Sequence, residues 1–207
     1  SEGAPESEAG ATEVPAITLD AASALSLPGL DAWAGFGWQA PVDFGDCPAS
    51  VDARTPASLD GDLFIDNFAA DPAGAPQLSF AAELPPGEYA LLVCGCAPAY
   101  SDGERTSAPA GNQALFAGID GVAYLDETGV PASISGFAGV PGFTWQVLAA
   151  AGDGAPALIT VPEEGARSVD LWMADDGVLV SSVRVIPAAA LADDATVSVG
   201  QGCVDGE

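Results

Sequence analysis

Ser168-Val169-Asp170-Leu171-Trp172-Met173, followed beyond Asp176-Gly177 by Val178-Leu179-Val180-Ser181-Ser182-Val183-Arg184-Val185, decides the fold class. Apolar and polar side chains alternate in both runs with a period of two, the mark of a strand with one buried face. Moving outward, the same reading predicts strands at 16–19, 63–68, 77–84, 89–96, 114–119, 143–148, 157–161 and 196–199. Turn chemistry falls between them at Pro85-Pro86-Gly87, Asp120-Gly121, Asp153-Gly154, Glu164-Gly165 and Asp176-Gly177. No run of useful length has a helical period; 21–25 and 188–192 each suffice for one turn. About ten short strands separated by such turns predict an all-β chain, an antiparallel β-sandwich or jelly roll. No internal repeat is visible, which argues against solenoids and propellers.

Composition narrows the function. The 207 residues include 4 Lys+Arg against 30 Asp+Glu, a formal net charge of −26, with no histidine. All four cations are arginines: Arg54, Arg105, Arg167 and Arg184. Nucleic acid is excluded as a partner, because affinity there rests on neutralising phosphates with Lys and Arg. Histidine bases, Ser-His-Asp triads, lysine Schiff bases and His-ligated metals are excluded by inventory. With 49% apolar residues the chain can nonetheless bury a core. The acidic surface reads as a solvated coat that keeps a protein soluble. Residues 1–14 are acidic, small and aperiodic and read as a tether, followed by a single β-sandwich domain over 15–207. The start, Ser1-Glu2-Gly3-Ala4, reads as a chain whose targeting segment has been removed. The uncharged stretch 128–152 is broken by Pro131, Pro141 and five glycines, so no membrane span is expected.

Four cysteines, Cys47, Cys94, Cys96 and Cys203, support an oxidising, extracellular setting. Cys94 and Cys96 stand two apart on a predicted strand and share a face, and a bond between them would strain disulfide geometry. Each is therefore expected to reach a distant partner, Cys47 or Cys203, closing long loops worth roughly 4–5 kcal/mol apiece. The alternative is a Cys₄ zinc site, which this spacing does not favour.

Four segments in order resemble one family. They are Leu84-Pro85-Pro86-Gly87-Glu88-Tyr89, a strand end, a Pro/Gly turn and a Tyr opening the next strand of a hairpin; Gly118-Ile119-Asp120-Gly121; Phe143-Thr144-Trp145; and the closing hairpin around Leu171-Trp172-Met173. Together they resemble the galactose-binding-like β-sandwich of carbohydrate-binding modules in secreted glycan-active proteins. The resemblance spans roughly residues 63–186. It implies a glycan as ligand, and often a structural Ca²⁺. The chain departs from the pattern at Ala174-Asp175, where an Arg-Glu pair is usual. It departs again at Cys94 and Cys96, where an Arg and an aromatic are common.

Candidate ligand-binding residues are Trp145, Phe143, Asp120 and Asp175. Trp145 follows an uncharged Gly/Pro-rich loop, from which an exposed indole would stack on a sugar; the alternative is a core position. Trp172 reads as core. Trp33, Phe36 and Trp38 read either as an apolar lid or as a contact surface. Asp60, Asp62 and Asp66 are the candidate calcium ligands, without fitting the EF-hand pattern. No carboxylate pair stands out for glycoside hydrolysis. The sequence therefore predicts a non-catalytic extracellular carbohydrate-binding or adhesion module. Its alternative is a structural subunit of an extracellular filament or surface assembly, self-associating or joined to other surface proteins. In that case the apolar run Val14-Pro15-Ala16-Ile17-Thr18-Leu19 would add to a neighbour's open sheet edge.

Overall fold

The structure, a computed structural model, describes residues 14–30, 36–39, 47, 55–58, 71–97, 114–137, 142–150, 155–174, 177–191 and 199–203. Within them the chain is an antiparallel sandwich without an α-helix. The first sheet contains β1 (Ile17–Asp20), β13 (Leu179–Pro187), β6 (Gly87–Cys96), β10 (Thr144–Val147) and β11 (Leu158–Val161). At its centre, β6 pairs with β13 along one edge, while β10 and β11 share the other. The second sheet runs β2 (Leu25–Leu27), β5 (Gln77–Leu84), β12 (Gly165–Met173), β7 (Leu115–Ile119), β8 (Val122–Ala123), with β9 (Ser133–Ile134) also on β7. A separate pair joins β3 (Phe36–Gln39) to β4 (Thr55–Ser58).

The long alternating runs quoted above become β12 and β13, as the period of two requires. Two connections differ from the hairpins expected. β5 and β6 lie in different sheets, as do β12 and β13, so each connection carries the chain from one layer to the other. The reason at Pro85-Pro86 is chemical: neither proline has an N–H to give to a hairpin ladder. Tyr89 fixes the corner by donating its hydroxyl to the Pro85 carbonyl at 2.8 Å. By contrast, Asp120-Gly121 makes the two-residue turn its sequence announces, both residues having positive φ (55° and 75°), as a type I′ hairpin requires. The expected single turns occur as a 3₁₀ turn at Ala21–Ser23 and a turn over 188–191. The predicted strand 63–68 lies outside the described residues; of 196–199 only Val199 is described, in a turn.

The main core lies between the sheets and includes Leu78, Phe80, Leu91, Val93, Leu115, Ile134, Phe137, Val169, Leu171 and Val183. Strand β6 is buried on both faces. Leu91 and Val93 point inward, while Ala90, Leu92, Cys94 and Cys96 form a second cluster on the outer side with Phe143, Trp145 and Ile186. An antiparallel sheet commonly leaves its outer face to water. Here two disulfides, Cys47–Cys96 and Cys94–Cys203, fasten chain over that face, so the cysteines are bridged to distant partners and the zinc alternative falls away. Gly95, between the two cysteines on the opposite side, leaves room for Phe137; a Cβ there would come within 2.7 Å of the ring.

The run 14–19 is paired along one edge within the chain itself. Ile17–Asp20 is taken up in the chain's own first sheet, Ile17 opposite Val185 and Asp20 opposite Ser182.

Candidate functional site

The aromatic pair expected to stack on a ligand is covered. Phe143 and Trp145 are 2% and 8% exposed, so neither presents a ring face to solvent, which corrects the sequence expectation. Both rings belong to the outer cluster with Cys47, Leu179 and Ile186, against which Leu191 and Cys203 pack, and the segment 199–203 pairs along β10. Trp145 N–H donates to the Gln201 carbonyl, Gly200 N–H to that of Trp145, and Cys203 N–H to that of Phe143, at 2.8–3.1 Å. The Cys94–Cys203 bond locks this strap in place. Nothing near Trp145 in the sequence announces a cover that begins more than fifty residues away.

Asp120 is placed at the sandwich rim with both oxygens engaged. Oδ2 accepts from Arg167 Nη1 at 2.9 Å and Oδ1 from the Ser168 N–H at 3.1 Å. Arg167 also donates Nη2 to the Glu163 carbonyl at 2.7 Å. Asp175 and the candidate calcium ligands Asp60, Asp62 and Asp66 lie outside the described residues. Among the described residues no three acidic or cysteine side chains are grouped to hold a metal ion. Trp38 is buried in the main core, as a lid residue would be; Trp33 and the side chain of Phe36 are not described.

The register assembles a site that sequence reading missed, on the outer face of the second sheet. Residues directly opposite across a sheet share a face. One row runs Leu25, Ser79, Asp170, Gly118; the next runs Leu27, Gln77, Trp172, Phe116. Hydrogen bonds confirm the common face. Gln77 Nε2 donates to Asp170 Oδ1 at 2.8 Å, and Ser168 Oγ to Asp170 Oδ2 at 2.7 Å. Asp170 Oδ2 also accepts from the Gly121 N–H at 2.8 Å, because the β7–β8 hairpin folds back over the sheet. Gly118 makes this possible: a Cβ there would stand 1.9 Å from the Val122 carbonyl oxygen.

Exposure grades across this face. Asp170, Trp172 and Phe116 are buried, Gln77, Ser79 and Ser168 are partly accessible, and Leu25 and Leu27 are 62% and 38% exposed. The result is a shelf where neutral hydrogen-bonding groups adjoin aliphatic ones. Gln77 spends one N–H on Asp170 and keeps another donor and its carbonyl; Ser168 keeps acceptor capacity. The alternation Leu25-Ser26-Leu27 is the sequence signal that could have pointed to one rim, but its neighbours come from three distant segments.

A second concavity, about 230 Å³, opens at the other end of β5 beneath Val14, Pro15, Ile17, Leu84, Pro85 and Val185. Glu83 and Tyr89 are the groups there with polar side chains, and the Tyr89 hydroxyl is already committed to Pro85. That leaves the sheet face as the better hydrogen-bonding surface.

No family model matches the chain, and no curated protein does. Among solved structures the chain is similar to a family 35 carbohydrate-binding module from Clostridium thermocellum, with 13% identity and a TM-score of 0.46. That likeness covers 84% of this chain and 100% of that one. It is also similar to the C-terminal family 6 carbohydrate-binding module of a marine laminarinase from Zobellia galactanivorans. There the identity is 12%, the coverage 83% and 99%, and the TM-score 0.41. A third is the family 36 module of a multidomain xylanase from the hindgut metagenome of Trinervitermes trinervoides, at 10% identity, 84% and 98% coverage and a TM-score of 0.41. The solved structures to which this chain is similar thus include carbohydrate-binding modules of three families.

Proposed function

We propose that the protein is a non-catalytic, extracellular carbohydrate-binding or adhesion module whose ligand lies on the outer face of the second sheet. The observation that carries this reading is the juxtaposition of exposed Leu25 and Leu27 with Gln77, Ser79 and Ser168 across three strands. A pyranose has C–H patches and a rim of hydroxyls that each donate and accept. Aliphatic side chains meet the former, and amide and hydroxyl groups meet the latter. The two disulfides suit an oxidising exterior. Asp60, Asp62 and Asp66 remain the proposed calcium ligands on their spacing alone. A melting temperature unmoved by Ca²⁺ or by chelator would dismiss them.

The test is retention on insoluble polysaccharides and a glycan array, with wild type beside Leu27→Asp and Gln77→Ala. Retention by wild type, and at least tenfold weaker retention by both variants, is the expected result. No retention of wild type on any glycan would reject the reading.

A second reading, a subunit of an extracellular assembly, is favoured by one observation: among the described residues β1 has a single neighbour, so its other edge is open. Light scattering at increasing concentration discriminates, because a constant monomer mass removes self-assembly.

A further inference from the structure

We infer that the shelf on the second sheet selects uncharged glycans and turns away uronic-acid and sulfated ones; the inference rests on the glycan reading above. The argument starts at Asp170. Its carboxylate lies under the shelf, directly opposite Ser79, and accepts from Gln77, Ser168 and the Gly121 backbone. All three partners are neutral. Among the described residues no cation neutralises it, and three hydrogen-bonding partners are already in place.

Both described arginines are elsewhere. Arg167 holds Asp120 and the Glu163 carbonyl at the rim. Arg184 is opposite Thr18 and Leu92 in the first sheet. Among the described residues the outer face of the second sheet therefore carries no positive side chain, on a chain with a formal net charge of −26. A ligand carboxylate or sulfate bound to Gln77 and Ser79 would stand roughly 5–7 Å from Asp170, across one strand spacing. At that range repulsion costs roughly tenfold or more in affinity, even with considerable solvent screening. Hydroxyls carry no such penalty, and the shelf's amide and hydroxyl groups can meet them as donors or acceptors.

The experiment compares polysaccharide pairs that share a backbone and differ in charge: dextran with dextran sulfate, cellulose with carboxymethyl-cellulose, and methyl-esterified with de-esterified polygalacturonate. Binding of the intact chain is measured at about 0.02 M and about 1 M salt, where the screening length falls from about 20–30 Å to about 3 Å. For any backbone that binds, the neutral member is expected to bind at least tenfold more tightly at low salt. The gap should shrink to about threefold at high salt, where shielding is strong. Ala81→Arg places a cation at an exposed position on the same face, opposite Ser168. This variant should close most of the gap at low salt while leaving the neutral member within about threefold, because it adds charge without removing a shelf group. A charged member that binds as well as or better than its neutral partner at low salt overturns the selectivity and leaves glycan binding standing. Failure of every member at both salt concentrations overturns glycan binding itself.

Discussion

Removing the Cys94–Cys203 bond should cost the protein a large fraction of its stability and uncover Trp145. The right perturbation is the double change Cys94→Ala with Cys203→Ala. A lone thiol at Cys94 would sit two residues from Cys96 on the same strand face, where it could attack the remaining Cys47–Cys96 bridge. The cross-link spans a sequence separation of 109 residues, for which the loop-entropy relation gives about 5 kcal/mol at 25 °C. Total stability for a domain of this size is about 5–15 kcal/mol, so the variant should be marginal. Non-reducing denaturation followed by tryptophan fluorescence measures the loss. Acrylamide quenching in native buffer measures whether the strap 199–203 has lifted from Trp145. A stability within about 1 kcal/mol of wild type would refute the entropic account, and quenching identical to wild type would show that the strap holds without its sulfur bond.

Three further outcomes follow from the packing. Thr144 Oγ1 is buried without a hydrogen-bond partner, so Thr144→Val should stabilise by about 1 kcal/mol and raise the melting temperature by about 2–4 °C. Unchanged or lower stability in a thermal melt would count against that assignment. Gly118→Ala must displace the Val122 carbonyl and should cost about 1–3 kcal/mol, visible as a lower denaturation midpoint; a neutral result would mean that the hairpin does not fold over the sheet. Burial raises the Tyr89 phenol above its ordinary value of 10.0. The neutral phenol therefore contributes stability that is intact below pH 10 and lost as pH rises through the folded-state value. Absorbance at alkaline pH should show the Tyr89 transition late, and Tyr89→Phe should remove that part of the alkaline loss; coincident early titration of all tyrosines would refute it.

The strand pattern was legible because burial of one face imposes a period of two. This is plain in 168–173 and again in 77–84, whose ends match β5. The cysteine reading succeeded for the same reason: Cys94 and Cys96 share a face, so neither could be the other's partner. Layer assignment was not legible. A period of two does not say which sheet a strand joins, so Pro85-Pro86 and Asp176-Gly177 looked like hairpins although they join strands in different layers. Strands β2, β8 and β9 escaped notice because two or three residues carry no period; their neighbours make them strands. The site was hidden for a related reason. Trp145 is covered by chain brought in through a disulfide, and the shelf is built by β2, β5, β12 and β7, which are adjacent only after folding.

Both sulfur bonds start from β6, the middle strand of its sheet, and one of them ends at Cys203. A pull on the chain beyond Cys203 thus enters the sandwich covalently at Cys94. Tension bypasses β13, which a pull on an unbridged chain would reach next and begin to peel away. Under shear, a module attached through that side would transmit force into its own interior strand before any backbone ladder had to yield.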